Sequence, residues 1–359
     1  MGAADQTGLK TFSYRVKDAT SGKRLVALAN AVNTVWNYVN EISTRSAERG
    51  TVWAQKKQLR DLTKGSGRLL GLPSQVVQEV IDEFVIKRKA ARRPKLRWRA
   101  SHGSRRALGW VPFTNQDIAR DGAVVLLRGV PFRLWLHRPV EGRIKSGNFS
   151  QDARGRWYCN LVCEVEKACS AGEAEIGVDL GLKSVAKCSD GKELEQARFY
   201  RDLEPKLAEA QRKKRKRQVR SIHAKITNRR KDSLHKFSRA LVSRARKITV
   251  GNVSASAMTK TRMAKSVLDA GWSMLRGMLR YKCDHAGVAY AEVDEPYTTQ
   301  TCSECGSLSG PKGRQGLSIR RWVCGDCSAE HDRDTNAALN IARLGCETPS
   351  LKGQGSPAF

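Results

Sequence analysis

Four cysteines late in the sequence have the spacing of a metal site. They form the pattern C-x2-C-x18-C-x2-C, and they are Cys302, Cys305, Cys324 and Cys327. Two CxxC turns joined by a short β-prone loop can place four thiolates in a tetrahedron, the geometry of structural zinc sites. Four thiolates leave no open position for a substrate, so we expect one structural Zn²⁺ here. A contact between this segment and nucleic acid is compatible with that role.

Two aspartates occupy positions from which a carboxylate could bind a catalytic metal. Asp179 lies in the otherwise apolar strand pattern "EIGVDLG", where an acid is costly to bury unless it binds something. Asp334 precedes "TNAALNIARL", where its alternative role is to cap a helix. Carboxylates that converge on a pair of Mg²⁺ ions support phosphodiester hydrolysis, in which one metal activates water and the other stabilises the leaving oxygen.

The charge of the chain favours a nucleic acid as its partner. The 359 residues include 66 Lys and Arg against 35 Asp and Glu, a formal charge of +31. Such a field favours polyanions. The sequence contains no apolar run of membrane-spanning length and no signal-peptide pattern. We therefore expect no membrane partner and, in a bacterium, a cytoplasmic, nucleoid-associated location.

Two internal segments concentrate the basic residues. Residues 87–106 hold ten Lys and Arg and residues 211–231 hold eleven, with no acid in either. A charge run is usually a solvated face or a disordered tail, but both segments lie between patterned elements. We predict surfaces that follow a nucleic-acid backbone, with one stacking ring. The predicted contacts are Lys87, Arg88, Arg92, Arg93, Lys95, Arg97, Trp98, Arg99, Lys213, Lys214, Arg215, Arg229 and Arg230.

The elements that must position these groups fall into two halves. Up to about residue 165 the pattern is β-rich with two inserted helices, and "WYCNLVCEV" alternates so that Cys159 and Cys163 read as buried hydrophobes rather than a disulfide. After the small-residue linker 169–175, a hairpin around Asp179 is followed by a long basic helical stretch over roughly 202–246. Alternating strands and helices then follow. This order predicts an α/β domain with Asp179 near the middle of its sheet.

Several segments together point to a known family. They are "GVDLGLKSVA", "DAGWSMLRGMLRYK", "YTTQTCSECG" and "CGDCSAEHDRDTNAALNIAR", with "LPSQVVQEVIDEF" and "GRWYCNLVCEVE" upstream. In this order and spacing they resemble the TnpB/OrfB family, RNA-guided DNA nucleases of insertion sequences that are related to the type V CRISPR effectors. The resemblance covers most of the chain.

The resemblance implies a multidomain chain of α/β and α+β class. It comprises a split RNase H-like (RuvC) nuclease domain with an inserted zinc ribbon, preceded by a β-rich wedge domain with a helical recognition insert. The expected boundaries are 1–42 and 107–168 for the wedge, 43–106 for the insert, 171–301 and 328–345 for the nuclease domain, 302–327 for a zinc ribbon that binds target nucleic acid, and 346–359 for a disordered tail.

The resemblance maps two catalytic acids onto Asp179 and Asp334, but the third position departs from the family. The family usually carries Glu where "ITVGNVSAS" has Gly251. Branches that lack that Glu resemble this chain in placing one just before the "YTS"-type motif, where "DEPYTTQTC" has Glu295. We predict that Asp179, Glu295 and Asp334 are the catalytic ligands of two Mg²⁺ ions. The alternative is that Glu295 is an exposed strand-end acid and Gly251 marks a lost nuclease.

The neighbours of Glu295 are weaker candidates for the third acid. Glu292 and Asp294 lie on the opposite pleat of the strand "VAYAEVDE". Successive side chains of a strand point to opposite faces, so these two acids would not face the same metals.

The function that the resemblance implies is RNA-guided cleavage of DNA. A guide RNA would select double-stranded target DNA by base pairing, while the protein reads a short adjacent motif. Two other functions remain open: a nuclease-dead, RNA-guided DNA-binding repressor, and a guide-independent transposase of RNase H-like fold. The last predicts DNA binding without RNA, whereas the other two predict RNA that copurifies.

Overall fold

The computed structural model describes residues 7–50, 53–252, 270–316 and 318–347. These residues form two compact units, one of residues 7–165 and one that begins at residue 166. Most of the predicted tail, residues 348–359, lies outside the described part of the chain. No helix among the described residues has both the length and the apolar character needed to cross a membrane.

A seven-stranded sheet is the frame of the first unit. Its strands are β1 (Thr7–Val16), β2 (Trp110–Thr114), β3 (Ile118–Asp121), β4 (Val124–Leu127), β5 (Val130–Trp135), β6 (Arg143–Gln151) and β7 (Trp157–Glu166), in the spatial order 2-6-7-1-5-4-3. The alternation predicted for β7 is confirmed, because Cys159 and Cys163 are both fully buried on its inner face. Both thiols are free, as the sequence pattern predicts.

Four helices complete the first unit. They are α1 (Ala19–Glu48), α2 (Lys56–Leu62), α3 (Ser66–Leu70) and α4 (Ser74–Ala91). Trp36 of α1 packs edge-on against Phe84 of α4, with ring centroids 5.3 Å apart, and both residues belong to the same core as the sheet. Helix α1 continues without a break through residue 43, where the sequence predicts the start of a separate insert.

A five-stranded mixed sheet is the frame of the second unit. Its strands are β8 (Ala174–Asp179), β9 (Ser184–Cys188), β10 (Glu193–Glu195), β11 (Ala245–Gly251) and β12 (Ala289–Val293), in the spatial order 10-9-8-11-12. Strand β11 runs parallel to both β8 and β12, whereas β9 is antiparallel to β8 and β10. The predicted mixed α/β arrangement is confirmed, and the strand that ends at Asp179 is central.

Helices and a small hairpin surround this sheet. The helices are α5 (Glu204–Arg212), α6 (Lys216–Val242), α7 (Trp272–Ala286), α8 (Gly313–Gly316) and α9 (Arg333–Glu347), and the hairpin is β13 (Arg321–Val323) with β14 (Glu330–Asp332). The basic helical stretch predicted over roughly 202–246 consists mainly of the two helices α5 and α6. They are separated at Lys214, whose φ of 51° is left-handed and interrupts the helical backbone.

Helix α9 lies unusually close to the central strand. A Cβ added to Gly177 of β8 would overlap the carbonyl oxygen of Ala338 and lie 2.6 Å from the Ala342 nitrogen. Only a residue without a side chain permits this approach. This close packing involves the second and third turns of α9, and it fixes the helix that carries Asp334 relative to β8, which carries Asp179.

Candidate active site and metal centre

Three strands of the second unit end at one edge of the sheet. Because β8, β11 and β12 are parallel, their carboxyl ends at Asp179, Gly251 and Val293 lie side by side, and Glu295 follows two residues after β12. In open sheets of this kind, ligands bind outside the carboxyl ends of the strands. This edge is therefore the place where the predicted acids can meet.

The carboxyl group of Glu295 fills the space above Gly251. A Cβ added to Gly251 would overlap Glu295 Oε1 and lie 2.5 Å from Cδ and 2.8 Å from Cγ. The backbone of Gly251 is paired with Val293, two residues before Glu295. Residue 251 therefore has no carboxylate of its own, and the turn that follows the neighbouring strand supplies one to the same space.

Asp334 lies in the first turn of α9 but does not cap it. The cap is Asp332, whose Oδ1 accepts hydrogen bonds from the Thr335 N–H at 3.0 Å and the Thr335 hydroxyl at 2.9 Å. The capping alternative for Asp334 is thus wrong. Its carboxylate instead accepts from Arg320 Nη1 at 3.0 Å. Arg320 is absent from the sequence-based site because no motif distinguishes it from the adjacent Arg321.

The electrostatics of the site favour a bound cation. Burial, together with the negative charges of Glu295 and Asp334, raises the pKa of Asp179 to about 7, while Arg333 opposes this shift. Burial likewise raises the pKa of Glu295 to about 7, against the lowering effect of Arg276. Carboxyl groups that repel one another in a buried site are stabilised in their charged forms by a metal ion.

Glu295 also has an unsatisfied oxygen. Its Oε1 is buried and has no hydrogen-bond partner among the described residues. A buried carboxylate oxygen without a partner is costly, and a hard divalent cation such as Mg²⁺ is a ligand that would satisfy it. The residues present therefore fit the predicted magnesium site.

The three acids are not arranged around a single point. Among the described residues, the cysteine cluster is the only group of three or more His, Cys, Asp or Glu side chains whose ligand atoms all lie within 4.8 Å of one another. Asp179, Glu295 and Asp334 do not form a second such group, so their carboxylates as they stand do not surround a single point.

The two neighbouring acids are engaged elsewhere or exposed. Glu292 Oε1 accepts from Arg280 Nη2 at 2.7 Å, and its Oε2 lies 3.5 Å from Arg276 Nη1. Asp294 is exposed to solvent. Two arginines already neutralise Glu292, so the structure favours Glu295 as the third acid of the site.

The four predicted cysteines form one cluster. The Sγ atoms of Cys302 and Cys327 are 3.7 Å apart, and those of Cys305 and Cys324 are 3.6 Å apart. Four thiolates at zinc–sulfur distances of about 2.3 Å in a tetrahedron are separated by about 3.8 Å. The cluster therefore has the dimensions of a four-thiolate zinc site.

Side chains that the sequence analysis did not identify support this cluster. The hydroxyl groups of Ser307 and Ser309 lie 3.4 Å and 3.0 Å from Cys324 Sγ, and these hydrogen bonds lower the pKa of Cys324 to about 5. His331 Nε2 lies 3.1 Å from Cys302 Sγ, and its ring packs on Trp322 with centroids 4.5 Å apart. Such outer groups favour thiolates and hold metal ligands in place.

Comparisons with known proteins cover most of the chain. Residues 160–262 match the OrfB_IS605 model, described as "Probable transposase", and residues 272–341 match the model "Cas12f1-like, TNB domain". A Streptomyces pristinaespiralis protein with the name "Putative RNA-guided DNA endonuclease" is 31% identical over 82% of this chain and 75% of its own length. This chain belongs to the TnpB/OrfB family.

Two further relatives and one solved structure agree with the TnpB assignment. InsQ of Escherichia coli K12 is 29% identical, and the Cas12f1 endodeoxyribonuclease of Sulfoacidibacillus thermotolerans is 26% identical. The alignments span 58% of the length of each. The fold is similar to that of Cas12f1 in a Cas12f1–sgRNA–target DNA complex, with a TM-score of 0.59 and 12% identity over 94% of this chain and 99% of that one.

Part of the first basic segment of this TnpB-family chain is held in an extended form along α1. The side-chain amide of Asn40 exchanges two hydrogen bonds with the backbone of Leu96, both 2.9 Å, and that of Asn37 does the same with Arg99, at 2.8 and 3.0 Å. The Ser43 hydroxyl adds a bond of 2.8 Å to the Pro94 carbonyl. Side chains of α1 thus hydrogen-bond the backbone of residues 94–99, as the backbone of a neighbouring strand would.

This arrangement divides the predicted nucleic-acid contacts of the first segment. The side chains of Arg92, Arg93, Lys95, Arg97 and Trp98 are exposed, as a contact surface requires. Lys87 is also exposed and pairs with a glutamate one helical turn away.

Arg88 and Arg99 have structural roles instead. Arg88 is only 4% exposed and donates to Ser43 Oγ and the Ala54 carbonyl, each at 2.9 Å. Arg99 is half-buried and donates to Asn33 Oδ1 at 2.7 Å and to the Leu108 carbonyl at 3.0 Å. Both arginines were predicted as contact residues because of their charge. Since Arg88 is buried, it does not belong to that surface.

The second basic segment of the TnpB-family chain is mostly exposed. Lys213, Lys214 and Arg215 lie in the break between α5 and α6, and Arg229 lies on the outer face of α6. Lys213 is paired with Glu209 at 2.6 Å. Arg230 is half-buried, with its Cδ within 3.0 Å of a Cβ added to Gly271, so it packs between α6 and the start of α7.

Proposed function

We propose that this chain is an RNA-guided DNA endonuclease whose catalytic metals are held by Asp179, Glu295 and Asp334. The observation that carries the proposal is the position of the Glu295 carboxyl group directly above Gly251. A nuclease that had merely lost its third acid would have no reason to fill that space with a carboxyl group from the turn that follows β12. Two raised carboxyl pKa values and an unsatisfied oxygen at the same place support a cation site.

The names of the relatives support the activity and the partners. The Streptomyces and Escherichia relatives are named as RNA-guided DNA endonucleases, and the solved structure of similar fold is a complex with sgRNA and target DNA. For this chain the corresponding partners are a guide RNA and a double-stranded target DNA with a short adjacent motif. The charge of +31 and the exposed basic segments are compatible with both polyanions.

Bound Mg²⁺ would activate water and stabilise the leaving oxygen of the phosphodiester. The protein's part is to hold three carboxylates at fixed places and in the charged state. The central strand β8 determines the position of Asp179. The close packing of α9 determines that of Asp334, and the turn that follows β12 determines that of Glu295. Arg320, paired with Asp334, adds a positive charge that could approach a phosphate at this edge.

The domain arrangement of the family is part of the proposal. The order 10-9-8-11-12, with three antiparallel strands (β8–β10) and two parallel additions, supports an RNase H-like (RuvC) nuclease domain of residues 171–301 and 328–345. The cysteine cluster supports a zinc ribbon within residues 302–327. The first unit would contain the wedge, with the recognition insert formed by residues 43–106. A cytoplasmic, nucleoid-associated location remains a prediction.

The test is cleavage of a matched duplex in Mg²⁺. RNA that copurifies with the protein is sequenced, its guide portion is replaced, and a duplex matching the new guide is supplied with a randomised flank. The variants are Asp179→Ala and Glu295→Ala, with Asp294→Ala as the matched control for the adjacent exposed acid. Binding of the same duplex is measured in parallel.

We expect the wild type and Asp294→Ala to cut. The two site variants should bind the duplex but lose cleavage by more than the roughly 100-fold that loss of an outer-shell partner costs a metal site. A wild type that binds and never cuts would identify a nuclease-dead, RNA-guided repressor. Binding of DNA without any RNA would identify a guide-independent transposase.

A further inference from the structure

The segment that carries Glu295 is a turn, not a strand. Strand β12 ends at Val293, and Tyr297 has a left-handed φ of 65°. The carbonyl oxygen of Glu295 accepts from both the N–H and the hydroxyl of Thr298, at 3.3 and 3.0 Å. The N–H of Thr301 donates to the Tyr297 carbonyl at 2.9 Å. A carboxylate at residue 251 would have the rigid sheet backbone beneath it, whereas Glu295 depends on how this turn is held.

Two buried asparagines of α9 hold the turn. Asn336 and Asn340 are 1% and 3% exposed and lie one helical turn apart. The Nδ2 group of Asn336 donates to the carbonyl oxygens of Thr298 at 3.2 Å and Thr301 at 2.8 Å. The Nδ2 group of Asn340 donates to the same two oxygens, at 2.9 and 2.7 Å. Both ends of the turn are therefore fixed to one helix.

The same helix carries Asp334 and is also tied to the cysteine cluster. Asn336 Oδ1 accepts from the N–H of Ser303, the residue after Cys302, at 2.9 Å. The segment that begins at Glu295 and ends at the first cysteine thus has contacts with α9 along its length. Its position relative to Asp334 is therefore set by side-chain amides of α9 as well as by the end of β12.

We propose that Asn336 and Asn340 are positioning residues that set the place of the Glu295 carboxylate relative to Asp334. The proposal rests on the proposed role of Glu295 as a metal ligand. Loss of a group that orients a metal ligand typically weakens metal affinity 10–100-fold without removing the ligand itself. The asparagines therefore act through Glu295, and their effect should vanish when Glu295 can no longer bind the metal.

The experiment is a double-mutant cycle on Mn²⁺ affinity. Binding of Mn²⁺ to the full chain freed of RNA is measured by the EPR signal of the free ion, for wild type, Asn340→Ala, Glu295→Gln and the double variant. Thermal unfolding is recorded for each. Ser238→Ala is the control, because this buried serine on α6 bonds the Leu234 carbonyl and the Lys282 amine and contacts none of the acids.

We expect Asn340→Ala to weaken Mn²⁺ binding about tenfold in the wild-type background and not at all in the Glu295→Gln background. Ser238→Ala should lower the unfolding temperature and leave Mn²⁺ affinity unchanged. Thr298→Val provides a milder variant if Asn340→Ala does not fold. It keeps the side-chain shape, removes the hydroxyl bond to the Glu295 carbonyl, and should weaken Mn²⁺ binding about fivefold.

Two results would overturn the proposal. One is an Asn340→Ala variant, or its Thr298→Val substitute, that is less stable but binds Mn²⁺ like the wild type. The other is an equal weakening in both Glu295 backgrounds, which would indicate a general structural role. A Glu295→Gln variant with unchanged Mn²⁺ affinity would instead refute the metal role of Glu295, and with it the proposed function.

Discussion

The Glu295 carboxyl group occupies the position that the side chain of residue 251 would enter, and residue 251 is a glycine. The two features are mutually dependent. Any side chain on residue 251 would overlap Glu295 Oε1, and without Glu295 the ends of β8 and β11 would share a single acid, Asp179. This relationship leads to the first prediction.

Moving the carboxylate back to β11 should rescue a Glu295 variant. Gly251→Glu alone should destabilise the protein by about 1–3 kcal/mol through overpacking and reduce cleavage. The double variant Gly251→Glu/Glu295→Ala should cut faster than Glu295→Ala, because a carboxylate again reaches the same space. Gly251→Ala/Glu295→Ala, which fills the space without an acid, is the control. Equal cleavage by the two double variants would contradict the prediction.

Substitutions of Asp332 and of Asp334 should have different effects, the first on stability and the second on activity. Asp332→Ala removes the cap of α9 and should cost about 1 kcal/mol of unfolding free energy while DNA cleavage persists. Asp334→Ala should abolish cleavage with little loss of stability. Urea denaturation and the cleavage assay, run on both variants, measure the two effects. If Asp332→Ala were instead the inactive and stable variant, the assignment of the two acids would be reversed.

The metal-free protein should lose stability as the pH rises from about 4 to above 7. The folded-state pKa values of Asp179 and Glu295 are raised to about 7, so the stability linked to their protonated forms is complete below the unfolded-state pKa and disappears as the pH passes about 7. Asp179→Asn should therefore unfold at a higher temperature than the wild type at pH 8 without Mg²⁺, with a smaller difference at pH 5. Mg²⁺ should reduce the difference at pH 8. An equal difference at both pH values would exclude this linkage.

The cysteine cluster should bind one zinc ion per chain. Cys305→Ser should release the zinc, measured by elemental analysis, and lower the unfolding temperature, because structural zinc contributes directly to folding. Cys169→Ser, at an exposed free cysteine outside the cluster, should retain the full zinc content. A wild-type protein that holds no zinc after purification in zinc-containing buffer would refute the site.

Substitutions of exposed and of buried basic residues in the first basic segment should have different effects on nucleic-acid binding and stability. Lys95→Ala and Arg97→Ala should each weaken nucleic-acid binding and reduce the salt dependence by about one phosphate contact, with stability unchanged. Arg88→Ala should instead reduce stability by about 1–3 kcal/mol, since it leaves the Ala54 carbonyl without its partner. Binding titrations over a range of salt concentrations, together with urea denaturation, distinguish the two outcomes. A smaller salt slope for Arg88→Ala than for the wild type would show that burial does not exclude this residue from the surface.

Several features could be predicted because they depend on local pattern or short spacing. The alternation around Cys159 and Cys163 determines which side chains of β7 are buried, and the CxxC spacing brings the four thiols together. An aspartate within an apolar strand indicated the central position of Asp179. In each case the physical constraint lies in a short stretch of residues or in a fixed spacing, so it can be read from the sequence.

Other features depend on contacts between distant segments and could not be predicted. The choice between Asp332 and Asp334 as the helix cap depends on where the first turn of α9 begins, a shift of one or two residues. The sequence does not distinguish Arg88 from its basic neighbours, and its structural role depends on its hydrogen bond to Ser43. The pairing of Asn336 and Asn340 with carbonyls 35–42 residues away has no local signal.

The fixed course of residues 94–99 along α1 has a kinetic consequence. A basic arm without a partner must give up its backbone freedom when it binds a polyanion, and that lost entropy weakens each contact. Here the amides of Asn37 and Asn40 have already ordered the backbone during folding. If residues 94–99 bind a polyanion as predicted, association requires no ordering of this segment's backbone, so no ordering step slows it.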